Sequence, residues 1–219
     1  MPRAASLAPL TRGGRVGRFA LLIGGLLLYG LSLRLMIDAR IGVAPWEVLH
    51  LGLSRVLPLT VGQASIGVGA LLLAYTSFGL RERVGLGTLL NVLLIGIFLD
   101  VLGPLVPDPV GWPRRAAQFA AGVALLGLAT GAYVGAGLGA GPRDGLMLGL
   151  NRRYGWPVAR IRTVVELVVL LLGALLGGPV GWGTLAFALL VGHSVSFGLS
   201  LFGVRGSASP GAMPRRPLA

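Results

Sequence analysis

Cysteine and lysine are both absent from the 219-residue chain. Without cysteine there are no disulfides, thiolate metal sites or thiol nucleophiles, and without lysine there is no G-x-x-x-x-G-K phosphate loop. Charged residues make up only 12%, with seven acids and two histidines. That is too little polar surface to cover a soluble globule. Histidine is too sparse for His-Glu-x-x-His or His-x-x-x-His, and no Ser/His/Asp set stands at plausible spacing, so no enzymatic activity, metal site or cofactor is expected. The Gly-rich run Gly135 to Gly141 follows an apolar helix instead of a buried strand, which argues against a dinucleotide loop.

What is there is apolar: 54% hydrophobic residues and a mean hydropathy of +0.83. All 19 basic residues are arginine and the net charge is +12, yet they sit at the ends of apolar runs and in loops. That placement fits positive-inside topology and anionic lipid, and excludes a nucleic-acid partner for want of a separate basic domain. The expected environment is the lipid bilayer of a bacterial cytoplasmic membrane.

One stretch occurs twice. Gly42 to Arg55 (GVAPWEVLHLGLSR) returns 97 residues later as Gly139 to Arg152 (GAGPRDGLMLGLNR), with seven of fourteen positions identical and Glu47 matched in kind by Asp144. Gly87-Thr88-Leu89 with Gly96 is likewise echoed by Gly183-Thr184-Leu185 with Gly192. This pattern predicts an internal duplication that reaches the last span of each half.

The expected organisation is a basic cytoplasmic tail over 1–18, a first membrane repeat over 19–104, a Pro-rich linker over 105–114, a second repeat over 115–203 and a disordered cytoplasmic tail over 204–219. The apolar run from Phe19 to Ile37 is long for a signal peptide and lacks a small-x-small cleavage signal, so it reads as a retained first span. Further spans are expected at about 60–80, 86–104, 115–138, 160–177 and 183–203. Each copy of the repeated stretch has proline at the first helical position and an acid in the first turn. A helix there is only about 20 Å long against about 30 Å of hydrocarbon. The fold class is therefore all-α: six transmembrane helices plus two short re-entrant half-helices, as two three-span repeats in inverted topology. With six spans or with eight, fourteen arginines lie on the side of the termini and five on the other, which puts both termini in the cytoplasm but does not decide the span number.

Ionisable groups at membrane depth point to function, because each costs several kcal/mol unless paired or hydrated. Glu47 and Asp144 stand out for their equivalent places. Each neutralises its own half-helix N-terminus or pairs with a nearby arginine, and the two together are also placed to line a central cavity as a proton or cation site; these readings are compatible. Arg34 with Asp38, and Arg162 with Glu166, are i,i+4 pairs suited to internal salt bridges. His193 is expected buried and hydrogen-bonded, or acting as a proton relay. His50 faces Met147 in the repeat comparison, so symmetry gives it no role, and Asp100 completes the set. Gly127, Gly131, Gly135 and Gly139 recur every fourth residue as a helix-packing stripe. Their counterparts Gly30, Arg34, Asp38 and Gly42 carry a charge pair instead, which assigns polar specificity to the first helix.

The basic N-terminus, first span, Gly-x-x-Pro-x-acid stretch and second copy after the fourth span together resemble the YczE/YitT group of small bacterial integral membrane proteins. The resemblance covers about residues 18 to 203. It implies a multi-pass helical protein of the cytoplasmic membrane, and no particular substrate, cofactor or mechanism.

The leading functional expectation is a small secondary transporter or exporter of a small molecule or ion. The alternative is a scaffold or regulator that binds another membrane protein through the glycine stripe. That stripe also leaves a homo-oligomer open. Few aromatic residues are expected near the cavity, so nothing in the sequence argues for a cationic ligand.

Overall fold

The computed structural model describes residues 14–82, 84–139 and 141–204. Most of the expected N-terminal tail and all but the first residue of the C-terminal tail lie outside the described residues. Within them the chain is all-helical: α1 (Arg15–Asp38), α2 (Pro45–Val56), α3 (Val61–Ala74), α4 (Leu86–Val101), α5 (Trp112–Gly135), α6 (Pro142–Tyr154), α7 (Val158–Leu175) and α8 (Trp182–Leu201). A π-helical turn over Tyr75–Gly79 prolongs α3, and a short 3-10 turn over Gly103–Leu105 follows α4. The segment expected as a Pro-rich linker is helical from Trp112 onward, because Pro113 falls in the first turn of α5, where its missing N–H costs no hydrogen bond.

Four helical stretches are long and apolar enough to cross a membrane: Arg15–Asp38, Val61–Gly79, Trp112–Gly135 and Trp182–Leu201. The other two expected spans fall short of that measure for different reasons. Helix α4 has 16 residues, about 24 Å of rise, and α7 carries Arg160, Arg162 and Glu166 among its 18 residues.

Helices α1 and α5 form the centre and lie antiparallel. Arg18, at the start of α1, donates to the Ala136 carbonyl at the end of α5 at 2.8 Å, while Gln118 near the start of α5 donates to Leu35 at 3.2 Å. Leu22, Leu26, Leu33 and Met36 of α1 pack with Phe119, Val123 and Leu126 of α5 in a fully buried core. Each central helix has a parallel companion. Gly30 of α1 meets Phe98 of α4, and Gly127 and Gly131 of α5 meet Ser194 and Gly198 of α8 so closely that a Cβ would strike backbone. The outer helices expose Leu71, Phe78, Leu171 and Leu189 at 61 to 87%. Apolar surface on that scale fits lipid, not water.

The chain breaks after α1 and after α5 are tied down alike. Gly87 N–H donates to the Leu138 carbonyl at 2.9 Å, and Gly183 N–H donates to the Ile41 carbonyl at 2.7 Å. The next residue but none after each acceptor is a glycine with positive φ, Gly139 at +139° and Gly42 at +109°, a backbone shape that side chains disfavour.

Helix α2 enters and leaves at one end of the bundle. The chain reaches it from Gly42, beside the start of α8, and four residues after Val56 arrives at Thr60, whose hydroxyl donates to Asp100 at the end of α4. Helix α6 does the same at the other end: it is reached from Gly139, beside Gly85 and Thr88, and its last turn is held by Arg152 to Glu82 at 2.8 Å and Arg153 to the Gly79 carbonyl at 2.8 Å. Gly173 of α7 lets the α2 backbone approach at Val48 and Leu49. Thr60 and Gln63 close a capping box on α3, with Asp100 accepting from Gly62 N–H at 2.9 Å, so Asp100 serves a helix start.

Candidate functional site

Proline at the first helical position fixes where α2 and α6 begin, and in each the acid two residues on falls in the first turn. The two starts face one another across a cavity of about 750 Å³, lined from α2 by Ala44, Pro45 and Trp46 and from α6 by Gly141 to Asp144. Their positive ends therefore converge on one space.

Glu47 pairs across the cavity wall as well as standing in the first turn of its own helix. It is 1% exposed and its Oε1 accepts from Arg143 Nη2 of α6 at 3.2 Å. The Arg143 guanidinium also lies over the Trp46 ring, 4.7 Å from the centroid, where cation and π-face attract. One turn on, His50 Nδ1 stands 3.9 Å from the same Oε1. Both Glu47 Oε2 and His50 Nδ1 are buried without a hydrogen-bond partner among the described residues.

Asp144 differs. It opens onto the cavity and has no ion-pair partner within 4.0 Å among the described residues. Arg162 and Glu166 also line the cavity, paired with each other at 2.9 Å. Tyr29, Trp46, Tyr133 and Phe187 bring four aromatic rings to the lining, correcting the expectation of few; Tyr29 and Tyr133 meet edge-on at 6.0 Å.

The structure thus brings Glu47, Asp144 and Glu166 together and leaves other expected residues apart. Arg34 and Asp38 pair at 2.6 Å beside Gly103, outside the cavity. His193 is exposed on α8 rather than buried, its Nδ1 3.4 Å from the Leu189 carbonyl. In the glycine stripe, Gly127 and Gly131 are covered by α8 of the same chain, while Gly139 has left the helix, which ends at Gly135. The stripe is therefore not a free docking face. Sequence reading gave His50 no role and missed Arg143, Asn91, Tyr29 and Tyr133. Of those four, Arg143 alone carried a signal, a charge directly after the second proline; the other three are ordinary residues of apolar helices until folding turns them inward.

The chain matches a family of unknown function, DUF6198, over residues 16–199. It belongs to that family. Among curated proteins it is 38% identical to the uncharacterized membrane protein YczE of Bacillus subtilis over 183 residues, 83% of this chain and 85% of that one. An uncharacterized protein of Haemophilus influenzae is 34% identical over 202 residues, 92% of each chain. YyaS of Bacillus subtilis, also uncharacterized, is 28% identical over 171 residues, 77% of this chain and 85% of that one. No solved structure matches. The YczE-like resemblance and the membrane setting therefore stand on the family and on the apolar helices alike.

Proposed function

We propose that the protein is a small secondary transporter or exporter, with α2 and α6 as re-entrant half-helices and the remaining six helices as spans. The observation that carries this reading is the meeting of the two half-helix starts, through Glu47 and Arg143, at one polar cavity inside an apolar bundle. Opposed half-helix ends at a central site are a recurring solution to alternating access.

The antiparallel course of α1 and α5, and the paired docking of Gly87 on Leu138 and Gly183 on Ile41, support a three-plus-three inverted duplication. Helix α4 then crosses by using its flanking turns and local thinning of the bilayer, and α7 crosses with Arg162 and Glu166 turned to the cavity. In this reading both termini are cytoplasmic, the membrane is the bacterial inner membrane, and no chemistry is catalysed.

Purified protein in proteoliposomes with an imposed pH gradient tests it, with lumenal pH read while membrane-impermeant solutes are added one at a time. Wild type is expected to dissipate the gradient faster with at least one solute, and Glu47→Gln and Asp144→Asn to lose that response while still eluting as folded protein. A response in neither wild type nor variants beyond protein-free vesicles sinks the transport reading; an unchanged response in both variants sinks the role of these acids.

A further inference from the structure

Two acids line the cavity: Glu166 is ion-paired with Arg162, whereas Asp144 has no ion-pair partner within 4.0 Å among the described residues, and its neighbour Arg143 is engaged by Glu47. Asp144 stands in the first turn of α6 and faces the cavity. An acid at membrane depth calls for a partner, and a cationic group matches its charge.

Two neutral side chains from other helices stand ready around it. Asn91 of α4 and Tyr133 of α5 are 8% and 6% exposed, line the cavity, and make no hydrogen bond to another described residue. Buried amides and phenols are ordinarily partnered. Three oxygens converge beside Gly141: Asp144 Oδ2 and Tyr133 Oη each lie 3.5 Å, and Asn91 Oδ1 3.8 Å, from the point a Cβ on that glycine would occupy. Glycine keeps that corner open. A protonated primary amine has three N–H donors to offer three such acceptors. The edge-on Tyr29 and Tyr133 rings add aromatic surface suited to a cation.

We infer that the cavity receives a small organic cation carrying a primary ammonium group, held by Asp144 with Asn91 and Tyr133. The inference names the substrate class of the transporter proposed above and rests on that reading for its role, but its test is binding.

The experiment measures thermal stabilisation of the purified full chain by butylammonium, butyrate, 4-aminobutyrate and sodium chloride, each at matched ionic strength. Butylammonium and 4-aminobutyrate are expected to stabilise the wild type and the other two to have no effect. Asp144→Asn should weaken that binding roughly tenfold or more, as expected for loss of a charge-assisted hydrogen bond; Tyr133→Phe and Asn91→Ala should weaken it less, and Asp144→Glu should keep it. Stabilisation by butyrate or sodium alone, by none of the four, or undiminished in a folded Asp144→Asn variant overturns the inference. Uptake of labelled 4-aminobutyrate into proteoliposomes is the separate arm: binding that depends on Asp144 without uptake leaves the site standing and sinks only the transport role.

Discussion

Arg143 at the start of α6 reaches Glu47 of α2, 3.2 Å away, and ties the two helix starts together at the cavity wall. The partners are unequally placed: the Glu47 side chain is 2% exposed and that of Arg143 27%. Losing the arginine therefore strands a buried carboxylate, whereas losing the carboxylate leaves a guanidinium still facing the cavity.

The first prediction follows from that inequality. Arg143→Gln should destabilise the protein by about 3 kcal/mol, more than Glu47→Gln does, and adding Glu47→Gln to it should restore part of the loss. Unfolding in detergent for the two single variants and the double variant measures it. A double variant no more stable than Arg143→Gln would show that the pair is not the source of the cost.

Crossing number is open to chemical labelling, because the chain has no cysteine of its own. Pro58 and Val84 are exposed and lie in the connections after α2 and before α4. Pro58→Cys should react with an impermeant maleimide in intact cells and Val84→Cys only after the membrane is opened. The reverse pattern means that α2 and α6 cross and that the halves run parallel.

Gly42 and Gly139 combine positive φ with a close approach to the start of the facing helix, whose atoms an added Cβ would meet at 2.8 to 3.4 Å. Alanine at either position should cost about 1 to 3 kcal/mol, read as a lowered melting temperature and reduced yield. Gly145, whose Cβ would meet nothing within 4 Å, is the control and should tolerate alanine without loss.

Gly131→Leu and Gly198→Leu replace residues that face each other between α5 and α8. Both should lower the stability of the single chain to a similar degree, measured by melting of the purified protein. A Gly131→Leu protein with full stability that has lost a co-purifying partner would instead revive the scaffold alternative.

The helical class and most element boundaries were legible because long apolar runs, prolines at helix starts and glycine breaks act locally. Pro45 and Pro142 announced where α2 and α6 begin, and the acids after them where the cavity lies. Their partners were not legible. Glu47 could be read as serving its own helix end, and only the three-dimensional approach of α6 gives it Arg143. Asn91 and Tyr133 are single polar residues in apolar helices, and nothing in their spacing says which way they turn. His193 misled for the same reason: on an apolar helix, depth in the sequence pattern does not distinguish inward from outward when small residues cover every face.

The hydrogen bond from Gly183 to Ile41 spans 142 residues (183 − 41), and it fixes the break that precedes α2. During synthesis the first break is made long before α8 leaves the ribosome, so the Ile41 carbonyl and the α2 entrance stay unfastened until nearly the whole chain has been inserted. The central cavity is thus completed last, by the final helix, and a chain cut short before residue 183 would reach the membrane with the entrance to α2 unlatched.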